Sequence, residues 1–308
     1  MNPRLRLAVL VALLPVSLGA CGSSQTPSPF ASPSAAASPA GSAAAFIPIP
    51  ITSAFRVGDN RIVFTLTDPG GQKQIAGPDR TLAIGYHGPN GERIDPARQT
   101  FIWAIEGANG VYVGHASFPS AGQWTADFVT AAPGSSEERL TFGFDVRERI
   151  EVVSPGDTAP SVDTPTLDDV GGDIAKLSSD PKPEPRFYRV SVADALAAKK
   201  PFVLAFATPK FCLSQTCGPT LEKLKPVAAA HPEMTFINVE PYQLTFADGS
   251  LQPMLDAAGN LVPVEATLAF KLSTEPYVFV VGSDGVVKAS FELVFSAEEI
   301  EAAIRAVE

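Results

Sequence analysis

Hydrophobic and polar positions along the chain follow two rhythms. Between residues 46 and 150 the period is two. Ile62, Phe64 and Leu66 alternate with Val63 and Thr65, and Leu82, Ile84 and Tyr86 repeat the pattern. Val111 and Val113 follow it, then Trp124, Ala126 and Phe128, then Leu140, Phe142, Phe144 and Val146. This alternation sets one face of each strand in a core and the other in solvent. Turn-forming clusters separate the runs: Asp68-Pro69-Gly70-Gly71, Pro89-Asn90-Gly91, Asn109-Gly110, Ser120-Ala121-Gly122 and Pro133-Gly134. No segment here sustains helical periodicity, so the pattern predicts a small β-sandwich over 46–150.

From residue 187 to 308 helical and strand patterns alternate. Ser191 caps a helix that runs to Lys200, where two cations sit at its C-terminal end. Phe202 to Ala207 is an unbroken apolar run of strand length, the signature of a strand buried on both faces. A helix over about 218–230 follows from Leu221, Leu224 and Val227/Ala228. Met234 to Val239 is the next strand, 241–270 is mixed, and Glu265 to Lys271 suits a short helix. Tyr277–Val281 and Val286–Phe291 form strands joined at Ser283-Asp284-Gly285, and Ser296-Ala297-Glu298-Glu299 opens the last helix with a capping box.

Residues 151–186, rich in Pro, Asp, Ser and Gly, read as a linker long enough for parts of it to pack on its neighbours.

The first 20 residues combine Arg4 and Arg6 with an apolar run from Leu7 to Leu18. That run is too short for a permanent span, which takes about 20 residues, and has the anatomy of a secretory signal. Leu18-Gly19-Ala20-Cys21 resembles a bacterial lipobox. The resemblance implies cleavage before Cys21 and a diacylglycerol on its thiol, so an extracytoplasmic, membrane-anchored protein. Residues 21–45 are small and polar with no charge, a disordered tether. Its roughly 24 residues reach about 25–30 Å on average.

Charge narrows the partners. Lys plus Arg is 23 against 33 Asp plus Glu, a net charge of −10. Nucleic acid and polybasic membrane docking both require the opposite sign. That leaves envelope or secreted proteins as partners, with the lipid as the membrane contact. No motif asks for a cofactor. His87 and His115 lie in the sandwich region, but no His-x-His or Met-rich cluster accompanies them, and His115 reads as an exposed strand residue. The sandwich is then a spacer or docking module.

Several motifs carry family resemblances. Gly110-Val111-Tyr112-Val113 followed by Ala121-Gly122-Gln123-Trp124 is similar to the late strands of small immunoglobulin-like sandwiches in secreted bacterial proteins. In the C-terminal region the residues are Phe202-Val203-Leu204-Ala205-Phe206, then Thr208-Pro209-Lys210-Phe211-Cys212 through Cys217-Gly218-Pro219, and then Thr274-Glu275-Pro276-Tyr277 before the last hairpin. They resemble the thioredoxin fold over about 120 residues, and more narrowly a group of thioredoxin-like bacterial lipoproteins. The resemblance implies an α/β domain over 187–308, a cis peptide before Pro276, and that proline facing the cysteines to shape a substrate groove.

The cysteines depart from the thioredoxin pattern. Cys212 and Cys217 are separated by four residues rather than two. On one helix they would be about 7.5 Å apart along the axis and turned by about 140°. A disulfide needs Cα atoms about 4.4–6.8 Å apart, so at least one cysteine lies in the loop before the helix. Pro219 suits a first helical turn and puts Cys217 at the helix start. Backbone amides and the dipole there lower a thiol pKa, so Cys217 is expected to attack and Cys212 to resolve. The buried thioredoxin Asp falls on Ala205, and Phe211 replaces the Trp before the first cysteine. Glu275 is an acid where small or apolar residues are usual, and a close carboxylate would disfavour a thiolate.

Three chemistries stay open for the pair: thiol–disulfide exchange, a structural disulfide in a non-catalytic binding scaffold, and metal binding. The helix-opening pair also partly resembles the copper chaperones of oxidase assembly. Those need a histidine before the hairpin, and no histidine follows His231, so a third ligand is missing and no metal is assigned.

Overall fold

The structure, a computed structural model, describes residues 45–308. The signal segment 1–20, Cys21 and the tether up to residue 44 lie outside the described residues. The chain is mostly β-sheet. Its strands are β1 (Ile47–Pro50), β2 (Phe55–Arg56), β3 (Gly58–Thr67), β4 (Thr81–His87), β5 (Arg93–Arg98), β6 (Thr100–Ile105), β7 (Asn109–Phe118), β8 (Gly122–Ala131) and β9 (Glu138–Arg147). Helix α1 (Val192–Ala197), β10 (Phe202–Phe206), α2 (Cys217–Ala230), β11 (Thr235–Val239), β12 (Leu244–Ala247) and β13 (Ser250–Pro253) follow. The chain closes with α3 (Glu265–Ala269), β14 (Tyr277–Val281), β15 (Val287–Glu292) and α4 (Ala297–Arg305).

The first nine strands form a β-sandwich. One sheet has the order β1-β3-β7-β6 and the other β2-β9-β8-β4-β5. Ile62, Phe64 and Leu66 of β3 meet Leu82, Ile84 and Tyr86 of β4 and Trp124, Ala126 and Phe128 of β8 in one core. In β3, β4 and β8 the residues with period two are thus the residues that join the sheets. Strands β5 and β6 were not legible, because β5 is almost wholly exposed and has no apolar face to alternate.

One expectation needs correcting. The second face of β3 is not in solvent, and Val111 and Val113, expected on the inward face of β7, lie on its other side while Tyr112 enters the sandwich core: Val63, Val111 and Val113 are buried with Val294, which follows β15. Arg61 of β3 reaches Glu299 of α4 through two bonds of 2.7 and 2.9 Å. Lys223 of α2 donates to the carbonyls of Trp103 and Phe295 at 2.8 and 3.0 Å. The outer face of this sheet is covered by the C-terminal part of the chain.

In that part, a four-stranded sheet has the order β11-β10-β14-β15, with β10 parallel to β11 and antiparallel to β14. Every residue of β10 is buried. Val203 and Ala205 face α2 and α4, where Leu221, Leu224, Ile300 and Ile304 pack. Phe202, Leu204 and Phe206 point to the opposite side, against Val192, Ala266, Phe270 and Phe279. The unbroken apolar run reflects this double burial. Ser296 and Glu299 make the expected capping box on α4.

Segment 151–186 does not run free. Val153, Ala159 and Val162 enter the core beneath the sheet. Val153 donates to Phe270 O at 3.2 Å, Gly156 to Val287 O at 2.9 Å and Ala159 to Gly285 O at 2.9 Å. Its few apolar residues are spaced too irregularly to reveal this packing in the sequence.

Candidate functional site

Strand β10 ends at Phe206, and residues 207–216 lead from it to α2. Cys217 is the first residue of that helix and Cys212 lies in the loop, the placement that the disulfide geometry demands. The two are disulfide-bonded, with Cα atoms 6.0 Å apart. Gln215 turns the loop with φ at 63°, in the left-handed region. Pro219 sits in the first helical turn, where its missing N–H costs no intrahelical bond.

The two sulfurs differ in access. Cys217 is 0% exposed, whereas Cys212 is partly exposed beside Leu213, which is 77% exposed. The Cys217 amide points at Cys212 Sγ at 3.3 Å. This burial argues against Cys217 as the attacking sulfur, the role expected from its position at the helix start. An incoming group meets Cys212 first.

The Glu275–Pro276 peptide is cis, and both residues are buried beside the loop. Glu275 Oε1 accepts from Leu213 N at 2.9 Å, and Oε2 accepts from the Tyr242 hydroxyl at 2.5 Å. The Glu275 carbonyl accepts from Ser214 Oγ at 2.8 Å. Glu275, at 3% exposure, thus pins the disulfide loop from below. One oxygen of its carboxylate lies within 4.8 Å of both sulfurs. The Tyr242 hydroxyl is held well above its usual pKa by burial, and further by its bond to Glu275 and that group's charge.

Tyr242 was not legible as a site residue, since nothing local marks a tyrosine 33 positions before its partner. It also lines a cavity of about 370 Å³ together with Tyr188, Asn238, Glu240 and Met254. Asn238 Oδ1 and Glu240 Oε2 are buried there without a hydrogen-bond partner. Burial raises the Glu240 pKa, against hydrogen bonds from Thr208 and Ser179 that lower it.

The structure keeps the histidines apart from this site. His87 Nε2 lies 2.8 Å from Asp127 Oδ2, and His115 is exposed on β7. His231, expected as an exposed cation, is half-buried, with Nδ1 2.8 Å from Glu308 Oε1. No helix among the described residues is long and apolar enough to cross a membrane.

No family model matches the chain. No curated protein matches it either. Among solved structures, a DUF4426 family protein from Pseudomonas aeruginosa PAO1 is similar over 34% of this chain and 89% of its own, at 11% identity and a TM-score of 0.25. Likeness of that degree bears on neither the site nor its chemistry.

Proposed function

We propose that the chain is an extracytoplasmic lipoprotein, anchored through Cys21, that exchanges thiols and disulfides with envelope or secreted proteins. Its C-terminal part, 187–308, is thioredoxin-like, and its sandwich, 46–150, is an immunoglobulin-like spacer or docking module. The observation that carries the reading is the partly exposed Cys212, whose sulfur accepts from the amide of Cys217 at the start of a 14-residue helix, in a loop held by Glu275 next to cis-Pro276. An amide and a helix N-terminus both favour a thiolate.

The roles assigned from sequence are exchanged. In the oxidising direction, a substrate thiolate attacks Cys212 Sγ, the Cys212–Cys217 bond breaks, and Cys217 leaves as a thiolate that takes up a proton. A second substrate thiolate then attacks the substrate sulfur of the mixed disulfide. It forms the substrate disulfide and releases Cys212 as a thiolate. In the reducing direction, the Cys212 thiolate attacks the substrate disulfide and the deprotonated Cys217 resolves the intermediate. Pro276 shapes the groove in which the substrate chain lies.

A structural disulfide in a binding scaffold is the second reading. It draws on the full burial of Cys217 and the hydrogen bonds that fix the loop to Glu275. The reduction potential separates the two: a value below about −300 mV with no exchange to a model dithiol identifies a structural bond. A more oxidising pair that exchanges, and loses exchange in Cys212→Ser, supports the first. Anchoring is tested separately. Fatty-acid labelling of the full chain in cells should disappear in Cys21→Ser, and labelling that survives it refutes the anchor.

A further inference from the structure

We infer that, once the Cys212–Cys217 bond is opened, Cys212 Sγ, Cys217 Sγ and the Glu275 carboxylate form a site for one divalent cation of the zinc class. The inference rests on the reading that this bond opens. In the disulfide form the two sulfurs and a Glu275 oxygen lie within 4.8 Å of one another, and opening the bond turns those sulfurs into two thiols beside the carboxylate. The sequence lacked a third ligand because no histidine follows His231. The fold supplies one from the residue before cis-Pro276.

Two further observations point to a cation. Glu275 is 3% exposed, and both its oxygens act as acceptors, from Leu213 N and Tyr242 OH. Among the described residues, no Lys, Arg or His forms an ion pair with it. Buried carboxylates are ordinarily paired with a cation or bound to a metal. Its two donors are the outer-shell bonds that orient a ligating carboxylate. Two thiolates and one carboxylate suit Zn²⁺ better than a hard cation such as Mg²⁺ or Ca²⁺. The partly exposed side of Cys212 leaves the fourth position open to water or to a substrate group.

The balance is simple. A phosphine and water convert the disulfide to two thiols and phosphine oxide. Zn²⁺ then displaces two thiol protons and binds the two thiolates and the existing carboxylate. The site's net charge stays at minus one, because two protons leave as Zn²⁺ enters. Because the oxidised pair offers no thiolate, the cation holds the reduced state, and its occupancy reports the redox state of the pair.

The test uses the full chain carrying Cys21→Ser, so that only two thiols remain. It is reduced anaerobically with a water-soluble phosphine and titrated with Co²⁺, then with Zn²⁺ in competition. The expected result is a sulfur-to-cobalt charge-transfer band that saturates at one equivalent, is absent from the oxidised protein, and is displaced by Zn²⁺. Glu275→Gln should weaken Zn²⁺ binding tenfold or more. Tyr242→Phe, which removes only the donor to Oε2, should weaken it about tenfold with the ligands intact. The inference is overturned by a bond that the phosphine cannot open, by no band after reduction, by equal binding to the oxidised protein, or by unchanged affinity in a folded Glu275→Gln or Tyr242→Phe variant. Exchange with a protein dithiol is measured on the same sample. A band without exchange sinks the proposed activity alone, and exchange without a band sinks this site alone.

Discussion

Cys212→Ser and Cys217→Ser, each combined with Cys21→Ser, leave one thiol apiece and so separate the two sulfurs. In the Cys217→Ser protein the remaining Cys212 is partly exposed, and an alkylating reagent reaches it without rearrangement of the loop. In the Cys212→Ser protein the remaining Cys217 is 0% exposed, and the loop over it must open first. Opening breaks the bond from Leu213 N to the Glu275 carboxylate and the bond from Ser214 Oγ to the Glu275 carbonyl. A hydrogen bond to a charged group contributes about 1.5–3 kcal/mol and a neutral one about 1 kcal/mol, so opening costs about 2.5–4 kcal/mol. At about 1.4 kcal/mol per factor of ten, Cys217 should react roughly 100-fold more slowly than Cys212. The assay is iodoacetamide labelling followed by intact mass. Rates are compared at their high-pH plateaus, so that thiol ionisation does not enter. A ratio below about tenfold would refute the reasoning, and with it the exchange of roles between the two sulfurs.

Three further outcomes follow from the packing. Arg61→Ala removes a bidentate pair whose side chains are only 12% and 22% exposed, and should destabilise the protein by about 2–3 kcal/mol in urea unfolding. Burial alone would raise the Glu299 pKa, but the Arg61 bonds and charge outweigh it and leave it lowered from 4.5. The pair's stabilisation is therefore present above about pH 4.5 and lost as pH falls through the lower folded value, and Arg61→Ala should flatten that acid limb. Glu240 shows the opposite sign: burial raises its folded pKa, so stability falls as pH rises through the window above 4.5, and Glu240→Gln should lose less stability than the wild type between pH 5 and pH 8. In Gly88→Ala the new Cβ would lie 2.7 Å from Trp124 Cζ2, which cannot yield because Trp124 is wholly buried; a loss of about 1–3 kcal/mol in the urea midpoint is expected.

Strand β10 explains why so much of the C-terminal part was legible. Phe202 to Phe206 has no polar residue, and like β14 it is buried on both faces, by α2 and α4 on one side and by α1, α3 and segment 151–186 on the other. The loop cysteines were also readable, because covalent geometry forbids both from sitting on one helix five positions apart. The exposure of each sulfur was not. Position at a helix start gives a thiol its electrostatics but says nothing of what lies over it. Here Cys217 joins a core that also holds Phe291 and Ile300, residues far along the chain.

The sandwich shows the same limit in its outer face. Val63 looked ordinary for a solvent-facing side, and Val111 and Val113 looked like core residues of the sandwich, since β-branched residues favour strands whichever way they face. Their burial depends on Val294 and on the Arg61–Glu299 pair, contacts that span more than 180 residues. The same long-range packing bears on function. The loop holding Cys212 is fixed by Glu275, just before β14, and the chain leaving the neighbouring strand β15 at Leu293 and Val294 packs on the sandwich. Leu293 N donates to Pro276 O at 2.8 Å, joining that packed segment directly to the cis-proline beside the disulfide. The Val294 contact on the sandwich and the loop holding Cys212 are thus joined by two hydrogen bonds through the Glu275–Pro276 peptide.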